Sequence, residues 1–178
     1  MITDKVVLPP RTIMEVYQML PEGTLAEVIN GLLYMSPSPA TNHQRIIGNI
    51  FFKLKLWIEQ NQSGEVFIAP FDVYLDEEAN VVQPDIIFIS SAKSKGIRSN
   101  GFYGTPDLIV EILSPGNPRH DLEIKKELYE RFGVTEYWVV NPDTREATGF
   151  FLQGKVYASP GTFTGLLRSR LLNTDIEF

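Results

Sequence analysis

Between Pro106 and Pro115 the chain reads DLIVEILS, a segment whose Val and Ile content and flanking prolines predict a buried central strand from about Leu108 to Leu113. One carboxylate, Glu111, stands in its middle between Val110 and Ile112. An ionised carboxylate is costly in such surroundings unless something neutralises it. The fold must therefore bring a cation to Glu111, whether a side chain or a metal. At 178 residues, 43% of them apolar, the whole of 1–178 reads as a single domain with a sizeable core.

The order of the remaining elements narrows the fold class. Thr12 opens a short helix that Pro21 ends. LAEVI and LLYM flank Asn30-Gly31, the pair best suited to a tight turn with positive φ, which predicts a hairpin over Leu25 to Met35. Asn42 is placed to cap a long helix, to about Gln60, whose Ile46, Ile47, Ile50, Phe51, Leu54, Trp57 and Ile58 recur at three- and four-residue steps. Strands EVFIAP, FDVYL and VVQPDIIFIS follow, then the Glu111 strand. A second helix is expected from Arg119 to Phe132, stopped by Gly133, and after it EYWVV, EATGFFL and KVYAS. This is an α/β chain of the α+β kind: a mixed sheet flanked by two main helices.

In the second helix, a 100° wheel puts Leu122, Ile124, Leu128, Tyr129 and Phe132 on one arc, with Lys125 near its middle and Glu123, Glu127 and Glu130 opposite. A lysine there either snorkels outward or meets an inward anion, and Glu111 supplies one a strand earlier. Asp85, at the start of the neighbouring strand, offers a second carboxylate. Together with backbone carbonyls and water, two such groups make a hard oxygen site of the kind Mg²⁺ accepts, and a nearby ammonium suits phosphodiester hydrolysis. The residues alone leave two readings open: this metal site, or a turn residue at Asp85 and a buried Glu111–Lys125 ion pair. Asp107 shares a strand face with Glu111 but stands four residues, about 13 Å, away, and reads as structural.

Composition excludes several classes. Sixteen Lys and Arg against 22 Asp and Glu give a net charge of −6, so any contact with nucleic acid must be local. No cysteine is present, which excludes disulfide scaffolds, thiolate metal sites and cysteine nucleophiles. The apolar run from Ile46 to Ile58 is too short and too interrupted to span a bilayer, and the N-terminus lacks the apolar centre of a signal peptide, so a soluble, cytoplasmic protein without membrane partners is expected. Neither a GxxxxGK[ST] loop nor a GxSxG elbow occurs. KSKGIR, Lys93 to Arg98, reads either as an arm gripping phosphates or as a solvated loop, and Arg119, His120 and Arg131 add basic groups near Lys125.

Three stretches in combination, QPD at Gln83 to Asp85, GTPDLIVEILSP at Gly104 to Pro115 and DLEIKKELYERFGVTEYWVVNP at Asp121 to Pro142, resemble the Uma-two family, a restriction-endonuclease-like branch of the PD-(D/E)xK nuclease superfamily. The AEVINGLLYMSPSP hairpin and the helix bearing His43 extend the likeness over nearly the whole chain. The resemblance implies a restriction endonuclease-like core, hydrolysis of DNA phosphodiesters, and Mg²⁺ or Mn²⁺ bound by Asp85, Glu111 and the Ile112 carbonyl, with Lys125 assisting. The superfamily keeps its lysine two positions after the strand glutamate; here that position is Leu113, so the amine must arrive from the helix. Glu27 and His43 match further family positions. Glu27 reads as a second acid orienting the metal or as a solvated strand residue, His43 as a phosphate contact or as a helix-start residue bonded to a nearby loop. The rival function is a non-catalytic module of the same fold binding DNA or a protein partner. A homodimer presenting two sites to two DNA strands is a further expectation.

Overall fold

The computed structural model of the chain describes residues 9–114 and 120–178, without the side chains of 120, 121, 159 and 160. The expected helix start at Arg119 lies outside the described residues. Helix α1 (Ile13–Gln18) begins where the Thr12 hydroxyl accepts from the Glu15 N–H. Strands β1 (Ala26–Ile29) and β2 (Leu32–Met35) form the hairpin, with Asn30 at φ 52° and Gly31 at φ 76°. Helix α2 (Thr41–Asn61) buries five of the seven apolar residues that its periodicity singles out, while Phe51 and Trp57 are only partly buried against the core. Its N-terminal capping residue is Ala40, without a side-chain bond; Asn42 instead donates to the Pro142 carbonyl at 2.7 Å, pinning the helix start to a turn 100 residues away.

The next strands are β3 (Gly64–Ile68), β4 (Val73–Tyr74), β5 (Val81–Val82), β6 (Ile86–Ser90), β7 (Ile97–Arg98), β8 (Gly101–Tyr103) and β9 (Leu108–Ile112). A π-helical turn over His120–Lys125 leads into α3 (Lys126–Phe132), which ends at Gly133 with φ 79°. Then come β10 (Glu136–Val140), β11 (Glu146–Gln153), β12 (Val156–Thr164), β13 (Leu166–Ser169) and β14 (Thr174–Glu177). Among the described residues the strands form two six-stranded sheets and a closing hairpin. The main sheet runs β12-β11-β10-β9-β6-β3, mixed because β9 and β10 are parallel; the second runs β2-β1-β5-β4-β8-β7; β13 pairs with β14. The mixed-sheet architecture is the expected one.

Alternation in the main sheet separates its two faces. Leu108, Val110 and Ile112 pack with Trp138 and Val140 against α2, while Ile109 packs with Tyr137 and Val139 on the face covered by α3 and the second sheet. Every residue of β9 and β10 is buried, as expected for strands covered on both sides. Glu111, odd-numbered, faces α3. VVQPDIIFIS is not one strand: Pro84 lacks the N–H a ladder needs, and the chain breaks at Gln83-Pro84-Asp85 and passes from β5 in one sheet to β6 in the other. Asp85 thus stands at the corner where the two sheets meet.

Candidate metal and phosphodiester site

At this corner Asp85 is held from three sides. Its Oδ2 accepts from the Ile112 N–H at 2.7 Å and lies 3.2 Å from His43 Nε2, which reaches it from α2. Its own N–H points at Glu111 Oε2, 3.5 Å away. The two acids are therefore brought together from adjacent strands. The Ile112 carbonyl lies on the same strand edge as the Ile112 N–H that meets Asp85. Asp85 is the most open carboxylate of the group, its side chain 15% exposed against 4% for Glu111.

Lys125 arrives at Glu111 from the other side. Its Nζ lies 2.9 Å from Glu111 Oε1 and 3.0 Å from Glu27 Oε1, with all three side chains buried. Tyr129, one turn on, donates to the same Glu111 oxygen at 2.7 Å. The wheel located the lysine correctly, yet Leu122, on the same arc, is exposed. The segment up to Lys125 is π-helical, so the angular step is smaller than 100° and Leu122 swings out while Lys125 stays inward.

Glu27 is a member of the cluster rather than a solvated strand residue. It pairs with Lys125 and accepts from the Gln83 N–H at 2.9 Å, tying β1 to the corner. Behind it lies a polar layer that sequence reading missed: Asp72 Oδ1 accepts from Tyr17 at 2.9 Å and from Gln83 Nε2 at 2.8 Å, and its Oδ2 accepts from Tyr74 at 3.3 Å. Gln83 therefore anchors the corner by both backbone and side chain. Its place beside Pro84-Asp85 was the one available signal. His43 is buried and bonded to Asp85, as a helix-start residue against a neighbouring segment.

The KSKGIR segment is no free arm. Lys93 lies 2.8 Å from Asp107 and donates to the Thr105 carbonyl, and the Arg98 guanidinium stacks 3.9 Å above the Tyr103 ring. Asp107 also accepts from the Ser90 N–H, so it is structural, as its spacing from Glu111 indicated. Arg131 reaches Asn30.

Burial, followed by the charges of Glu111 and Glu27, holds the Tyr129 phenol well above its usual 10. Tyr129 therefore remains a donor to Glu111 at neutral pH. The folded state favours the neutral phenol, so its contribution is intact below about pH 10 and is lost as the unfolded phenol ionises above it, at about 1.4 kcal/mol per pH unit. Denaturant titrations from pH 8 to 11 are expected to show a steeper alkaline loss for the wild type than for Tyr129→Phe; equal slopes would contradict the assignment.

The donor set suits a hard divalent ion. Asp85, Glu111 and Glu27 against Lys125 leave two negative charges at one corner, and two carboxylates with a backbone carbonyl are the oxygen ligands that Mg²⁺ or Mn²⁺ takes while keeping water. Among the described residues no group of three or more His, Asp or Glu side chains converges on one point, so any such ion would depend on the carbonyl and on solvent or substrate oxygens.

Comparison with known proteins gives the chain a family. The family model Uma2, described as "Putative restriction endonuclease", matches residues 13–175. The chain belongs to the Uma2 family. Its fold is that of a crystal structure described as "a putative nuclease belonging to DUF820 from Anabaena variabilis ATCC 29413", with 16% identity, 92% of each chain covered and a TM-score of 0.75. No curated protein matches the chain. In this Uma2 protein all the residues expected at the site, Asp85, Glu111, Ile112, Lys125, Glu27 and His43, lie in one connected cluster. Among the described residues no helix is long and apolar enough to cross a membrane.

Proposed function

We propose that this Uma2 protein is a metal-dependent endonuclease that hydrolyses DNA phosphodiester bonds at the Asp85–Glu111 corner. The observation that carries the reading is the meeting of the Glu111 carboxylate of β9 and the Asp85 carboxylate just before β6 with an ammonium from the π-helical turn that leads into α3, all at a sheet corner where Asp85 reaches solvent. Asp85, Glu111 and the Ile112 carbonyl would hold Mg²⁺ or Mn²⁺, which when bound supplies a Lewis acid for the phosphoryl oxygens. Lys125, held by Glu27 and Glu111, offsets negative charge that builds on the phosphate. Tyr129 and the Ile112 N–H fix the orientation of the two acids, and His43 adds a second contact to the same Asp85 Oδ2 that the Ile112 N–H meets. Water attacks phosphorus in line and releases one proton to solvent as the new P–O bond forms, one P–O ester bond breaks, and the leaving oxygen takes a proton from solvent. In this reading the substrate is cytoplasmic DNA, and two copies paired about a two-fold axis would address both strands.

A second reading, a non-catalytic module of the same fold that binds DNA or a protein partner, draws support from Glu111 Oε1, which Lys125 and Tyr129 already occupy, and from the net charge of −6. Incubation of the purified protein with supercoiled and linear DNA separates the two. The nuclease reading expects cleavage with Mg²⁺ or Mn²⁺ that EDTA stops; absence of cleavage of every DNA form supports the module.

A further inference from the structure

We propose that the outer face of α2 and the Arg145 turn form a track for the backbone of duplex DNA leading away from the Asp85–Glu111 corner. The proposal rests on the nuclease reading and names where the substrate's flank lies. From Thr41 to Ile58 helix α2 carries Arg45, Lys53 and Lys55 and no acid, in a chain with an excess of six negative charges. Lys55 pairs with Glu59. Arg45, Asn49, Phe52 and Lys53 are exposed, and their spacing of four, three and one residues puts them along one face. A polyanion approaching an acidic protein needs such a local positive strip.

A second wall faces this strip. A groove of about 540 Å³ has Asn49, Phe52 and Lys53 on one side and Arg145 and Thr164 on the other. Arg145 is fixed there by a turn: its N–H donates to the Asn141 carbonyl at 2.9 Å, its φ is 60°, and its guanidinium lies 5.7 Å from the centre of the Phe178 ring. Glu177 lines the same groove, and the Arg145 turn also carries exposed Asp143, whose Oδ1 accepts from Asn42, and exposed Glu146, so the positive strip is that of the α2 face. Both walls originate at the corner, because His43 at the start of α2 touches Asp85 and Asn42 binds the Pro142 carbonyl of the turn that carries Arg145. Phe52, 62% exposed, adds an apolar surface suited to deoxyribose.

The helix sets the footprint. At about 1.5 Å per residue, Arg45 and Lys53 lie about 3 and 15 Å along the axis from His43. A strand of duplex advances about 3.4 Å per nucleotide, so these cations meet phosphates about one and four to five nucleotides from the scissile bond, on one side only.

The test uses the full chain with Glu111→Gln, so that substrate is retained, and fluorescence anisotropy with a labelled duplex of about 20 base pairs over a range of salt. Lys53→Gln and Arg145→Gln are each expected to weaken binding about tenfold and to lower the slope of log affinity against log salt by about 1. Lys155→Gln, the same loss of charge at the exposed β11–β12 turn on the opposite end of the sheet, should change neither. Circular dichroism confirms that each variant is folded; all three positions are exposed. If Lys53→Gln and Arg145→Gln bind no worse than Lys155→Gln, the track is overturned, while metal-dependent cleavage by the wild type would still uphold the nuclease reading. If the wild type neither binds nor cleaves DNA, both fall together.

Discussion

Glu111→Gln is expected to lower the rate of metal-dependent DNA cleavage by roughly a thousandfold while the protein stays folded. The two effects separate because Glu111 has two tasks. In the proposed site its charge joins that of Asp85 in holding the cation. As an acceptor it takes hydrogen bonds from Lys125 and Tyr129 on Oε1. A glutamine oxygen of the same length can continue to accept both bonds, Lys125 retains Glu27 as its counter-ion, and what is given up is the long 3.5 Å contact of the other oxygen with the Asp85 N–H. The charge is lost and the packing is kept. Cleavage of supercoiled DNA, measured beside the thermal midpoint, checks this. A rate within tenfold of the wild type would remove Glu111 from the chemistry, and a midpoint that collapses with the rate would make it a structural residue.

Lys125→Met should be the most destabilising single change at the corner, costing about 3–5 kcal/mol and lowering the thermal midpoint by roughly 6–20 °C. Methionine fills the space of the lysine stem, so the loss is electrostatic: Glu27 and Glu111 are left buried without the ammonium that both touch at about 3 Å. A surface ion pair would cost under about 1 kcal/mol. Adding Glu27→Gln to Lys125→Met should recover part of the stability, because it removes one of the two stranded charges. Chemical denaturation of the wild type, both single variants and the double variant measures the coupling. A cost below about 1 kcal/mol for Lys125→Met, or a double variant weaker than Lys125→Met alone, would contradict the geometry.

What the sequence disclosed and what it hid follow from the range of the interactions. Glu111 and Lys125 were legible because a charge set in an apolar strand and a charge set in an apolar helix stripe must find each other, and the chain places them 14 residues apart. Glu27 was legible only through the family resemblance, because AEVI by itself reads as any half-exposed hairpin strand. It is buried because Lys125 meets it from the π-helical turn and the Gln83 N–H reaches it from beside β5, contacts with no local signature in AEVI. The corner at Gln83-Pro84-Asp85 was read through as continuous strand, although Pro84 carried the physical reason for the break. Leu122 was misplaced because a wheel assumes α-helical steps and the turn before Lys125 is wider. Asn42 looked like a cap by residue type; its actual partner, the Pro142 carbonyl, is fixed by tertiary packing. The β13–β14 hairpin went unread for a similar reason: Glu136, fully buried in β10, accepts from the backbone of Arg170 and Leu171 in its turn, a contact with no local signature.

The central claim is that the corner formed by Asp85, Glu111 and the Ile112 carbonyl holds a divalent cation. A crystal soaked in Mn²⁺ and measured for anomalous scattering tests it most directly. The account predicts a single strong peak within coordination distance of Asp85, Glu111 and the Ile112 oxygen, absent from Asp85→Asn crystals soaked identically. A wild-type crystal with no peak there, or with Mn²⁺ bound only elsewhere on the acidic surface, would contradict it.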